Sequence, residues 1–282
     1  MPTDGIQPGG EERFSCDPPA RVTLTEKVFY EGHESFQIDT PLCRWVYHKA
    51  GAGFAALIDT DGADWIRYRN VPESCASGWY RGIPNAVNPE DCFHPGRDTC
   101  SSVIEQSTAS RVTIRSRSND GLWQCLWDIR SRFAVLTMLK VAHDYWFQYE
   151  GTPGGRTSEG NFIVLSDGSR VAATLDGFTR AIPGEKWYYT GDPSTKKALF
   201  FASCEGNTVC DRWYRMEGPD DDPEGMIISA FGRGAGVECK LKETPRRFIV
   251  GILEDNSFNA ASAVIKAALD EVRAEPVATP EP

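Results

Sequence analysis

The feature that most constrains the fold is a hairpin pattern near the middle of the chain. In residues 111–117, Val112 and Ile114 alternate with arginines, so apolar and charged side chains would occupy opposite faces of a strand. The turn-forming sequence Asn-Asp-Gly at 119–121 follows, and an apolar run begins at residue 123. This succession predicts two antiparallel strands joined by a tight turn.

Short apolar runs separated by turn residues recur about every ten residues along the chain. One helix is predicted over 258–272, with Asn256 or Ser257 as its N-cap. Many strands with one terminal helix predict a mainly β protein, an antiparallel sandwich or barrel. The predicted strands are 22–25, 36–39, 44–48, 54–58, 65–68, 111–117, 123–129, 133–141, 145–149, 162–165, 186–189, 198–202, 226–231 and 247–253.

The length of the chain and its linker-free middle predict one domain. With 282 residues, 40% of them apolar, it can bury a large core. No internal linker and no repeat at a fixed period divides it. We therefore expect a single β-sandwich domain over 21–274, with a flexible arm at 1–20 and a flexible tail at 275–282, both rich in Gly, Pro or Glu.

The formal net charge of −10 disfavours a nucleic-acid partner, because an acidic surface repels phosphates. No apolar run approaches the roughly 20 residues that cross a bilayer, so no membrane span is expected. The polar start of the chain lacks the regions of a signal peptide. The expectation is a cytoplasmic protein, or a secreted or periplasmic one if a signal peptide has been removed.

The nine cysteines include two pairs that lie close in sequence. Cys92 and Cys100 bracket one turn, and Cys204 and Cys210 bracket another, which is typical of disulfides in an oxidising compartment. The alternative is that they are free and buried as small apolar side chains. No C-x-x-C pair occurs, which argues against a zinc ribbon.

A first candidate site lies in a polar, aromatic, Gly- and Pro-rich stretch between residues 78 and 96. Arg81 offers a planar fork of donors for a carboxylate, and Asn85 can donate to the same group. His94 is a candidate for proton transfer, because imidazole is the side chain that most often acts as a general acid or base. Trp79 and Tyr80 add aromatic surface. The alternative is a packed Ω-loop with Arg81 in a structural ion pair.

A second candidate site lies at 143–150, where strand alternation separates two sets of side chains. One face would carry Tyr145, Phe147 and Tyr149. The other would carry Trp146, Gln148 and Glu150. Aromatic faces stack on sugar rings, while amides and carboxylates bind sugar hydroxyls. His143 precedes the strand as a candidate base, and the alternative is that the aromatic residues are all core.

Other candidates for substrate binding are Arg44 and His48, which share a strand face, and Arg233 at a strand end. No cofactor or metal ligand set is predicted. The acidic run at 220–222 offers oxygen ligands of the kind that Ca²⁺ prefers, but it lacks a regular ligand spacing.

Residues 36–38 and 53–66 (GFAALIDTDGADWI) resemble the opening of galactose-mutarotase-like β-sandwich proteins. Together with 79–85 and 149–155, they also resemble uncharacterised bacterial proteins of polysaccharide-degrading systems. The resemblance covers about residues 28–255. It implies a β-supersandwich whose concave face binds a sugar, in a fold that hosts epimerases, polysaccharide lyases and parts of glycoside hydrolases. The mutarotase pattern of paired histidines with a late glutamate is not cleanly present.

The leading functional hypothesis is a polysaccharide lyase that cleaves a uronic-acid-containing glycan by β-elimination. A donor set must neutralise the uronate carboxylate, a base must take the C5 proton, and an acid must assist the leaving oxygen. The candidates for these roles are, in order, Arg81 with Asn85, then His94 or His143, then Tyr80 or Tyr145. The alternatives are a glycoside hydrolase that uses Glu150 with Glu90 or Asp91, and a non-catalytic carbohydrate-binding module.

Overall fold

The computed structural model describes residues 21–70, 81–87, 92–206, 208–218, 225–236 and 238–280. Within these ranges the chain forms eighteen strands, one 3-10 turn (Pro153–Gly155) and one α-helix, α1 (Phe258–Ala274). The strands are β1 (Thr23–Tyr30), β2 (His33–Asp39), β3 (Cys43–His48), β4 (Gly53–Asp59), β5 (Gly82–Asn85), β6 (Cys100–Ser107), β7 (Arg111–Ser118), β8 (Gln124–Arg130), β9 (Ala134–Lys140), β10 (Phe147–Gly151), β11 (Phe162–Leu165), β12 (Arg170–Ala172), β13 (Phe178–Arg180), β14 (Trp187–Gly191), β15 (Ala198–Ser203), β16 (Asp211–Met216), β17 (Met226–Phe231) and β18 (Arg246–Leu253).

The strands form two antiparallel sheets of nine strands each. The first sheet has the order β1-β2-β3-β4-β5-β10-β17-β16-β13, and the second has the order β12-β11-β14-β15-β18-β9-β8-β7-β6. The prediction of a mainly β, antiparallel supersandwich with one C-terminal helix is confirmed. The predicted hairpin is also present, since β7 pairs with β8 across the turn at 119–121.

The core lies between the two sheets, and β10 shows how alternation builds it. Phe147 and Tyr149 point inward and are fully buried. The Phe147 ring stacks on Phe248 with centroids 4.5 Å apart, and Tyr149 lies 5.2 Å from the ring of Phe201. Burial of side chains this large stabilises the fold by about 1.5 to 3 kcal/mol each. The intervening residues of β10 therefore face outward, and this places the site described below.

Helix α1 covers part of the outer face of the second sheet. Its buried residues recur at helical spacing and pack against strand residues such as Phe200 and Ile249. They are Ala261, Ile265, Ala268, Leu269 and Val272. The helix begins after Ser257, which has extended backbone angles, so Ser257 rather than Asn256 takes the N-cap position. This 17-residue helix is not long and apolar enough to cross a membrane.

Residues 65–68 are not a strand, contrary to the sequence-based prediction. Trp65 and Ile66 are buried, so the segment is apolar as expected. The carboxylate of Asp64 accepts backbone hydrogen bonds from Leu57 and Ile66 at 3.1 and 3.0 Å. Arg67 takes a left-handed φ of 59°. Because of these local features, the backbone of this segment does not continue in the extended conformation that pairing with a neighbouring strand requires.

The two predicted disulfides are wrong, because the described cysteines are free thiols. Cys204 is buried, whereas Cys210 is exposed, so the two thiols occupy different environments. Cys92 and Cys100 are both buried, and a hydrogen bond between their thiols contributes to the raised pKa of Cys92. The alternative interpretation, free buried cysteines, describes Cys92, Cys100 and Cys204.

Candidate functional site

A cluster of polar side chains lies on the outer face of the first sheet. Glu150 and Gln148 point outward from β10, opposite to the core residues of that strand. Asn85, at the end of β5, pairs in register with Gln148. Arg233 follows β17 across a turn at Gly232, and His94 comes from the loop before β6. We call these five residues the outer-face cluster: Asn85, His94, Gln148, Glu150 and Arg233.

The carboxylate of Glu150 is at the centre of this cluster and is only 2% exposed. Its Oε1 accepts hydrogen bonds from the side-chain amides of Gln148 at 2.6 Å and Asn85 at 3.1 Å. Its Oε2 lies 3.1 Å from Nε2 of His94. A buried carboxylate needs such partners, because an unpaired one would carry a large desolvation cost.

The hydrogen bonds of His94 define where its protons lie. Its Nδ1 is 2.6 Å from the backbone carbonyl oxygen of Pro95, which can only accept, so Nδ1 carries a proton. The contact between Nε2 and Glu150 then requires one further proton, which resides on one partner or the other. The pair therefore holds a single shared proton, as an imidazolium with a carboxylate or as a neutral imidazole with a carboxylic acid.

Arg233 extends the cluster toward two aromatic rings. Its guanidinium donates to the side-chain oxygen of Gln148, whose amide in turn donates to Glu150. The guanidinium carbon lies 4.7 Å from the ring centroid of Trp146 and 5.4 Å from that of Tyr214. Such cation–π contacts orient the guanidinium as well as stabilising it. Tyr214, on β16, was not among the residues singled out from the sequence.

The cluster opens toward solvent on one side. Asn85, Tyr214 and Arg212 are half-buried, whereas Glu150 and Gln148 are buried. Arg212 lies beside Tyr214, with its guanidinium carbon 5.1 Å from the ring centroid. A ligand hydroxyl would reach Oε1 of Glu150 most readily by replacing Asn85, the more exposed of its two amide donors.

Arg81 is fully buried and does not join the cluster. Its guanidinium donates to the backbone carbonyl oxygens of Arg67, at 3.2 Å, and Gly225. These contacts tie distant stretches of backbone together. They are consistent with a structural role for this arginine, and its position gives no support to its predicted role toward a uronate.

Three further candidates also lie away from the cluster. Tyr145 and Tyr149 point into the core, where their hydroxyls donate to the backbone carbonyls of Glu243 at 3.1 Å and Trp65 at 2.6 Å. Burial raises the pKa of both tyrosines, which disfavours the phenolate. His143 is exposed and its ring packs edge-on against Trp123. The proposed acid role of Tyr145 and base role of His143 are therefore not supported by where these side chains lie.

The remaining predicted residues are divided between other places. Arg44 is exposed and forms an ion pair with Asp39 at 2.7 Å, a contact that contributes little at a surface. His48 is buried and accepts a hydrogen bond from the backbone of the loop that carries His94. Four predicted residues lie outside the described residues: Trp79, Tyr80, Glu90 and Asp91.

The part of the chain that the structure describes contains no group of three or more His, Cys, Asp or Glu side chains arranged to hold a metal ion. The acidic run at 220–222 lies outside it. Within the outer-face cluster, the groups that can accept or donate a proton are Glu150 and His94, which are in contact at 3.1 Å.

Solved structures share this fold at low sequence identity. The crystal structure of HI1317 matches with a TM-score of 0.55 and 8% identity, over 83% of this chain and 100% of that chain. YeaD of Salmonella typhimurium, a candidate mutarotase, matches with a TM-score of 0.54 and 9% identity, over 83% and 97%. A galactose mutarotase related enzyme of Lactobacillus acidophilus gives 0.49 and 10%, over 79% and 99%.

No model of a protein family matches the chain, and no curated protein matches it. At these identities the similarity shows the fold alone. The chain thus has the galactose-mutarotase-like β-sandwich fold that the sequence resemblance implied. These similarities do not bear on polysaccharide lyase activity, so that part of the resemblance stays a prediction.

Proposed function

We propose that the protein is a carbohydrate-active enzyme whose site is the outer-face cluster and whose proton-transferring groups are Glu150 and His94. The observation that carries the proposal is the 3.1 Å contact between Nε2 of His94 and Oε2 of Glu150, inside a polar cluster whose Arg233 packs on the indole of Trp146. The fold, which a candidate mutarotase shares, supports a sugar as the substrate class.

The reaction that suits this pair best is the interconversion of the anomers of a free aldose. A base removes the proton from the C1 hydroxyl while the bond between C1 and the ring oxygen breaks, and an acid delivers a proton to the ring oxygen. Rotation about C1–C2 and the reverse steps then give the other anomer. Glu150 as carboxylate accepts the proton and His94 as imidazolium donates one, so no proton is gained or lost overall.

Binding would use the half-buried side of the cluster. Asn85 and Arg212 offer donors for sugar hydroxyls, and Tyr214 offers the edge of an aromatic ring. Trp146 and Arg233 form the wall behind Gln148. This arrangement of a few convergent polar groups beside aromatic rings is typical of small-ligand sites.

β-Elimination of a uronate glycan is the second candidate. Arg212, half-buried beside Tyr214, offers a guanidinium that could pair with a uronate carboxylate, in the place first assigned to Arg81. Glycoside hydrolysis would require a second carboxylate near Glu150. The proposed partners Glu90 and Asp91 lie outside the described residues.

The proposal is tested by magnetisation-exchange NMR of anomer interconversion, over a panel of neutral aldoses and glucuronate. Wild-type protein should accelerate exchange for at least one sugar. Glu150→Gln keeps the shape of the side chain but removes the base, so it should slow the catalysed exchange by about 100-fold or more. Glu26→Gln, on the exposed face of β1, should match the wild type.

Other outcomes decide against the proposed reaction. Absorbance from unsaturated products of a uronate polymer, without anomer exchange, would identify a lyase. Saturable binding with no turnover of any kind would identify a binding module. Full activity in Glu150→Gln would show that the cluster is structural and that the chemistry lies elsewhere.

A further inference from the structure

The loop that carries His94 rests directly on the backbone of the first sheet. Gly51, Gly53 and Gly82 come from the β3–β4 turn, β4 and β5. A Cβ atom built on any of the three would lie closer than 3.0 Å to the backbone of His94 or to Pro95. Only glycine leaves room for this contact. We call Gly51, Gly53 and Gly82 the glycine seat, because His94 and Pro95 pack directly on them.

His48 fixes the other end of the same loop. The backbone N–H of Gly96 donates to Nδ1 of His48 at 3.1 Å, and the His48 side chain is 1% exposed. Burial lowers the pKa of His48 to about 3, with the neighbouring His33 acting in the same direction, so the ring is neutral near pH 7. Since Nδ1 accepts a hydrogen bond, the proton of the neutral ring lies on Nε2.

Neighbouring rings hold His48 in this orientation. The His33 ring lies 4.6 Å from that of His48, and the Tyr68 ring meets His48 edge-on at 4.8 Å. The Tyr68 hydroxyl is 3.2 Å from Nε2 of His33. Gly96 also packs so closely on Tyr68 that a Cβ there would overlap its hydroxyl. These groups are in contact with one another and with the loop that carries His94.

We propose that His48 is a positioning residue for His94: by accepting the Gly96 amide, it holds the loop on its glycine seat and so keeps the His94 imidazole against Glu150. The functional part of this inference rests on the proposed role of the Glu150–His94 pair. Its structural part, that His48 sets the position of His94, stands independently of any activity.

The test uses histidine labelled with ¹⁵N, because the chain has only four histidines. In the wild type, the His94 ring should show a protonated Nδ1. His48→Leu removes the acceptor, so the His94 signals should move to those of a solvent-exposed imidazole. In uniformly ¹⁵N-labelled protein, the Gly96 amide should exchange with water about tenfold faster or more. His48→Asn can return an acceptor near the place of Nδ1 and should keep wild-type His94 signals.

Unchanged His94 signals in folded His48→Leu would overturn the inference. So would His94 signals typical of a solvent-exposed imidazole in His48→Asn. If His48→Leu does not fold, a substitution in the glycine seat provides a second test. Gly53→Ala should displace Pro95 and shift the His94 signals. The matched control is Gly206→Ala, since a Cβ at Gly206 meets nothing within 4 Å. If the two glycine variants gave the same His94 spectrum, the claim that the glycine seat positions His94 would be contradicted.

Kinetics separate this inference from the proposed function. If the wild type interconverts anomers, His48→Leu should lower kcat roughly 10- to 100-fold with little change in KM, because a misplaced proton donor affects the reaction more than binding. If the wild type shows no turnover, the proposed function fails, while the NMR comparison still decides whether His48 positions His94.

Discussion

At the scale of single residues, Glu150 and Asp211 are two buried carboxylates with different partners. Glu150 has two amides and an imidazole around it, and its neighbour Asn85 reaches the surface. Asp211 forms an ion pair with Lys186 at 2.8 Å, and neither side chain is exposed. Burial raises the pKa of Asp211, and the Lys186 ammonium opposes that change. A ligand can therefore replace Asn85 as a partner of Glu150, whereas the Asp211–Lys186 pair is fully buried and we call it the closed pair.

Removing one member of the closed pair should be costly. Asp211→Ala leaves the Lys186 ammonium buried without its counter-charge, and we expect the free energy of unfolding to fall by about 3 to 5 kcal/mol. Chemical denaturation measures this change. The double variant Lys186→Met with Asp211→Leu should recover most of the loss, because no charge is then left buried. A double variant as unstable as Asp211→Ala would contradict this account.

The sequence predicted much of the cluster at the residue scale. His94, Asn85 and Arg233 were found because loops and strand ends rich in polar and aromatic residues often form sites. Trp146 and Glu150 were found from alternation. Arg81 lies apart from the cluster, and the sequence does not show that its guanidinium donates to the backbone carbonyls of Arg67 and Gly225. Tyr214 and Arg212 were missed, although alternation around Trp213 in β16 offered the signal that places both outward.

At the scale of elements, most strands with strong alternation or a continuous apolar run were predicted, whereas weakly patterned strands were not. The missed strands include β5, which contains Pro84, and β6, an edge strand with exposed polar residues. Proline lacks an amide donor, and edge strands bury little apolar surface, so neither carries the usual signal. Residues 65–68 were predicted as a strand but do not form one. Their apolar side chains are buried because this bent segment packs into the core, not because it pairs with a neighbouring strand.

Helix α1 was predicted from its apolar face, and that face makes a quantitative prediction. Ile265 is fully buried against the second sheet, so Ile265→Ala should lower the free energy of unfolding by about 2 to 5 kcal/mol. Val264, the adjacent residue, is 46% exposed, and Val264→Ala should change it far less. Thermal and chemical denaturation compare the two. Equal losses would mean that the helix does not pack as described.

At the scale of the whole molecule, the two sheets use their outer faces differently. Helix α1 covers part of the second sheet, whereas the first sheet presents the outer-face cluster. The strand order β5-β10-β17-β16 brings together residues from positions 85 to 233. Individual strands could be predicted from local patterns, but this order could not, because it depends on pairings between segments far apart in sequence.

The most direct test of the account asks whether a sugar binds at the outer-face cluster. Indole N–H signals of the protein labelled with ¹⁵N-tryptophan would be followed during titration with the aldose panel, and Trp146→Phe would assign the signal of interest. We predict a saturable shift of the Trp146 signal, together with little change at Trp127, which lies in the core. If no sugar in the panel moves the Trp146 signal at millimolar concentrations, the central claim is contradicted.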